Sequence, residues 1–102
     1  MYIIRRKFES AGEKGSHFVD LGSHEKLEEA LEAREEQFWS IWKFIKAFEK
    51  DEQRSFKYLL SDSFKDPSKP LEIRVKEADE PYCSWEFYII EGLANAISKS
   101  YK

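Results

Sequence analysis

His17, Asp20, His24 and Glu28 are four side chains of metal-ligating type within twelve residues, and His24 and Glu28 stand one helical turn apart. Imidazoles and carboxylates at that spacing can hold a divalent cation on one helix face. The segment His24-Glu25-Lys26-Leu27-Glu28 lacks the second histidine of the zinc-peptidase helix, however, and a chain this rich in charge assembles such groupings by composition alone. No metal site is expected. Ser40-Ile41-Trp42-Lys43 matches the Ser-x-x-Lys pattern of serine acyl enzymes in form, but no companion motif accompanies it and a mid-helix serine has no oxyanion donors. Cys83 has no base beside it in sequence and reads as an inert thiol. Gly12 and Gly15 precede no helix, so no phosphate-cradling loop is present. With no nucleophile, acid–base pair or cofactor motif, the chain is expected to be non-enzymatic and to bind no cofactor.

The chemistry that remains is recognition. Phe38-Trp39-Ser40-Ile41-Trp42-Lys43-Phe44-Ile45-Lys46-Ala47-Phe48 carries five aromatics in eleven positions. On a helical wheel its apolar residues span roughly 220°, leaving Ser40, Lys43 and Lys46 plainly in water. A helix on one sheet buries a narrower stripe than that. Trp39 and Phe44, at the edges of the arc, therefore stand out as candidates for contact with another element or another chain. Upstream, Glu25, Glu28, Glu29, Glu32, Glu35 and Glu36 make the same segment acidic, with Glu28, Glu32 and Glu36 in one i,i+4 row. Lys43, Lys46 and Lys50 lie towards the other end, a distribution that suits the helix dipole. Such an acidic row would favour a basic partner surface. A second candidate surface is a sheet face bearing Arg5, Lys7, Arg74 and Lys76 around Tyr88, since cations and stacked rings bind single-stranded nucleic acid. Glu72 and Glu86 share that face and would pair with those cations in an ordinary cross-strand lattice.

These residues need elements to hold them. Tyr2 to Glu9 alternates, with Tyr2, Ile4 and Phe8 on one side, Ile3, Arg5 and Lys7 on the other, and Arg6 as a misfit. It reads as an edge-tolerant strand. Ser10 to Ser16 is a glycine-containing hairpin loop, His17 to Leu21 the returning strand, and Ser23 the expected N-cap of a helix over about 24–50. In that helix Leu27, Ala30, Leu31, Phe38, Ile41, Trp42, Ile45 and Phe48 form the core stripe. From 51 to 64 the pattern fits a helix through Phe56, Leu59 and Leu60, or a strand through Phe56, Tyr58 and Leu60; a short helix is preferred. Pro67 and Pro70 mark a loop. Leu71 to Lys76 alternates as a half-buried strand, Trp85 to Ile90 as another, and Leu93, Ala94 and Ile97 suggest a short C-terminal helix. The expected architecture is a single α+β domain, 1–102, in the order ββα(α)ββα. It would be an antiparallel sheet of about four strands with the helices on one face.

Composition agrees with a folded recognition domain. Charged residues are 36% of the chain, yet 8 Phe, 5 Tyr and 3 Trp supply the apolar surface that disordered chains lack. The net charge of −3 gives no global attraction to nucleic acid or anionic lipid. One cysteine excludes an internal disulfide, and Arg5-Arg6-Lys7 interrupts the only early apolar run, so neither signal peptide nor membrane span is predicted. A cytoplasmic setting follows. The function these features favour is binding another macromolecule, most naturally a protein and with self-association included, through the acidic and aromatic helix. Small accessory, inhibitor or immunity proteins of phages and mobile elements work in this way. Nucleic-acid binding by the sheet face is the alternative.

Overall fold

Alternating side chains build the sheet, and one long amphipathic run crosses it. The computed structural model describes residues 1–10 and 15–92. Its elements are β1 (Tyr2–Glu9), β2 (His17–His24), α1 (Leu27–Asp51), β3 (Lys57–Leu60), β4 (Leu71–Lys76) and β5 (Cys83–Glu91), in the order ββαβββ. All strand pairs are antiparallel and the sheet order is β2-β1-β5-β4-β3. The sheet thus has five strands where the sequence suggested four.

Register partners share a face, so two rows point towards α1: Leu60, Ile73, Trp85, Phe8 and His17, then Leu71, Phe87, Arg6 and Val19. Against them α1 buries Ala30, Arg34, Phe38 and Ile45. The centre of the core is Phe38, Ile45, Leu71, Ile73, Val75 and Phe87, and Phe38 meets Phe87 edge-on at 6.2 Å between ring centroids.

Four expectations change. Residues 57–60 form a strand and not a second helix, because α1 is stopped sharply before them. Gln53 takes a left-handed backbone (φ 53°), and the amides of Glu52 and Arg54 donate back to Phe48 (2.9 Å) and Glu49 (2.9 Å). The Glu49 carboxylate then accepts the Phe56 amide at 2.7 Å, turning the chain into β3. Tyr58 follows with its ring edge-on to Trp42 at 4.6 Å. Second, β1 is interior, flanked by β2 and β5, and the sheet edges are β2 and β3. Third, β2 runs on through Ser23 to His24. The register steps from Ile4–Gly22 to Arg5–Asp20, which leaves Leu21 as the extra residue of a bulge. Fourth, the N-cap position of α1 is therefore Lys26, with extended backbone and no side-chain cap, and the helix begins at Leu27 instead of 24. The expected C-terminal helix at Leu93, Ala94 and Ile97 lies outside the described residues.

Arg34 is the residue the apolar pattern leaves out. It sits between Ala30 and Phe38 on the core side of α1, fully buried. Its guanidinium donates to the carbonyls of Lys69 (2.8 Å), Ser63 (3.2 Å), Phe64 (3.3 Å) and Asp66 (3.1 Å). Those residues belong to the β3–β4 connection, whose two prolines and short turns present carbonyls inwards. Burial lowers the Arg34 pKa from its usual value and the Asp66 charge opposes this, so the group stays charged. Removing it strands several carbonyls in the interior. Arg34→Met is expected to lower unfolding free energy by about 3 kcal/mol or more, and Arg34→Lys, which lacks the planar fork, to recover less than half of the loss. Urea denaturation followed by circular dichroism measures both, and a loss below about 1 kcal/mol for Arg34→Met would contradict the clamp.

Candidate partner-binding surfaces

Trp39 and Phe44 are five residues apart, or about 140° round the helix, so α1 turns them to opposite flanks. The flank of Trp39 is partly covered by its own domain. Its ring stacks on Phe64 at 5.7 Å, meets Phe38 edge-on at 5.0 Å, and its indole N–H donates to Glu35 at 3.3 Å. Phe64 is in turn fixed by Arg34 through its own carbonyl. Trp39 is half-buried packing of this domain.

The flank of Phe44 is open. Its side chain is 63% exposed, the highest value among the large apolar residues described. Beside it lies a groove of about 420 Å³, whose lining includes Phe48, Phe56, Pro81, Cys83 and Trp85. The rings of Phe48 and Phe56 stack at 6.2 Å, and Phe8 supports Trp85 at 5.0 Å. Arg54 lies over both rings of the first pair and forms a two-pronged ion pair with Glu77 (2.7 and 3.0 Å) that walls one side. Phe44 was legible from the wheel; Trp85, Pro81 and Phe56 were not, because only tertiary structure carries them to the helix.

Glu28, Glu32 and Glu36 are exposed along α1. Further along the helix, charge is used internally. Glu49 accepts from Lys46 (3.0 Å) and from the Phe56 amide; the Tyr58 hydroxyl first, then the Phe56 amide and Lys46, hold its pKa at about 2. Lys46 also lies over the rings of Trp42 and Tyr58, at 5.6 and 5.1 Å.

On the sheet face turned from α1, register brings together Arg5, Lys7, Arg74 and Tyr88, with Lys76 at one end. Their cations are engaged. Arg5 pairs with Asp20 (2.7 Å), Lys7 with Glu9 (2.9 Å) and Arg74 with Glu72 (3.2 Å), while Lys76 lies over Tyr82 at 5.1 Å. The Tyr88 hydroxyl donates to Glu86. A phosphate backbone would have to displace these carboxylates. His17 and His24 occupy opposite ends of the eight-residue β2, roughly 23 Å apart at strand spacing, so the four sequence-adjacent ligand types do not converge.

No protein-family model, curated protein or solved structure matches this chain. Among the described residues, no helix is long and apolar enough to cross a membrane.

Within the sheet lattice, Glu72 and Glu86 are direct cross-strand partners. Partial burial and the facing Glu86 raise the Glu72 pKa above the usual carboxylate value, against the pull of Arg74. The folded state therefore binds this proton more tightly than the unfolded chain. Stability from this site is gained as pH falls through the raised value and lost as pH rises above it. Glu72→Gln is expected to stabilise the protein at neutral pH by about 0.5 kcal/mol and to flatten its stability between neutral and mildly acid pH. Thermal melts at several pH values check this, and a destabilised variant at neutral pH would show that the Arg74 pair outweighs the repulsion.

Proposed function

We propose that this chain is a small non-enzymatic cytoplasmic protein of accessory or inhibitory kind that acts by binding another protein through α1. The observation that carries the reading is Phe44, a large aromatic standing 63% exposed on a rigid helix beside an apolar groove. A helix packed only for its own domain would place a polar residue at that wheel position. Aromatic anchors next to a preformed groove are the usual source of binding free energy in protein interfaces. The groove suits an apolar side chain from the partner, and the Arg54–Glu77 pair at its edge offers polar contacts for the partner's backbone.

The two edges of the apolar arc therefore have different roles, which separate experimentally. Phe44→Asp should abolish partner capture from a native extract while leaving the melting temperature within about 2 °C of the parent. Trp39→Ala should cost at least about 2 kcal/mol of stability, because it removes the ring packed on both Phe38 and Phe64. Affinity capture read by mass spectrometry, beside thermal melts of both variants, makes the comparison. Unaltered capture by a folded Phe44→Asp protein would overturn the reading.

A further inference from the structure

The face of α1 pointing directly away from the core carries a second pattern. Glu29, Ala33, Glu36, Ser40, Lys43, Ala47 and Lys50 recur at alternating spacings of four and three residues, which keeps them on one stripe of the helix. All are exposed except Ala33, which is half-exposed. Within the stripe one set of positions is small (Ala33, Ser40, Ala47) and the other is charged. The charges change sign at the middle, with Glu29 and Glu36 before Ser40 and Lys43 and Lys50 after it.

That order is self-complementary under a two-fold axis. Laying a second α1 antiparallel, with the axis between Trp39 and Ser40, sets Glu36 opposite Lys43 of the second copy and Glu29 opposite its Lys50. The same placement brings Ala33 to within one residue of Ala47 of the second copy, and Ser40 to within one residue of its own counterpart, an offset of about 1.5 Å along the axis. Small side chains at those levels let two helix axes approach to about 8 Å, close enough for the flanking carboxylates and ammonium groups to meet. Each charged pairing occurs twice, as an isologous interface requires. A parallel arrangement would instead oppose Glu to Glu and Lys to Lys.

We propose that α1 is a homodimerisation helix, and that its occupant on this face is α1 of a second copy in antiparallel orientation. This goes beyond the Phe44 groove, since it specifies a different face and a partner of known sequence.

Sedimentation equilibrium of the full chain over a range of concentrations and salt tests it. The parent should dimerise, and should do so more weakly as salt rises, because exposed ion pairs are screened. Glu36→Lys places two like-charge pairs in the interface and should weaken dimerisation at least roughly tenfold, as should Lys43→Glu. The double variant Glu36→Lys with Lys43→Glu restores opposite charges across the axis and should return the dimer to within about threefold of the parent. All four residues of the pattern's charged set are on the surface, and thermal melts confirm that each variant is folded. A monomer at every loading, a dimer insensitive to the single reversals, or a double variant that stays dissociated would each overturn the proposal. None of these outcomes bears on capture of a different protein by Phe44, so the two readings fail separately.

Discussion

A single buried guanidinium organises this molecule. Arg34 reaches from the core side of α1 into the β3–β4 connection and takes four of its carbonyls. A connection containing two prolines has few ladder bonds available to it, and its inward carbonyls need a donor. Arginine suits this task because its five N–H groups radiate in a plane and its charge survives burial. The clamp also positions Phe64, whose ring covers Phe38 and stacks on Trp39. One flank of the helix is thereby partly covered by a loop instead of by a second helix. On the opposite flank Phe44 stands exposed, and Phe48 stacks on Phe56 at the edge of the groove.

This asymmetry explains why the aromatic arc of the helix exceeds what one sheet can bury. Part of the excess is absorbed by the clamped loop and part by β3, where Tyr58 meets Trp42. Phe44 is what remains. Charge shows a similar division. On the open sheet face and around Glu49, acids and bases neutralise one another within the domain. Along the outer pole of α1, Glu29, Glu36, Lys43 and Lys50 are instead laid out in an order that another helix could complete.

Much of the fold was legible because period-2 and period-3.6 patterns report directly on which side of an element is apolar. The facing of β1, β4 and β5 and the body of α1 all follow from it. The failures have identifiable causes. Residues 57–60 satisfied both periods, and the choice was made by the left-handed turn at Gln53 and the reach of Glu49 to the Phe56 amide, neither of which is a pattern in hydrophobicity. Ser23 looked like a cap, but a bulge at Leu21 let β2 continue past it. Arg34 was not legible, since an arginine in a helix carries no mark in sequence that four distant carbonyls await it. For the candidate surface, Phe44 was visible from its wheel angle. Its neighbours Pro81 and Trp85 required the register of the sheet.

The Arg34 clamp holds the β3–β4 connection to the helix, and proton NMR of the arginine guanidinium groups in nitrogen-labelled protein tests it directly. Exposed arginines rotate and exchange with water quickly, giving broad, averaged signals. Four bonds from a buried guanidinium should instead give Arg34 separate, sharp guanidinium resonances that exchange slowly and show contacts to the protons of Phe64 and Lys69. An Arg34 whose guanidinium protons are averaged like those of the exposed arginines would contradict the account.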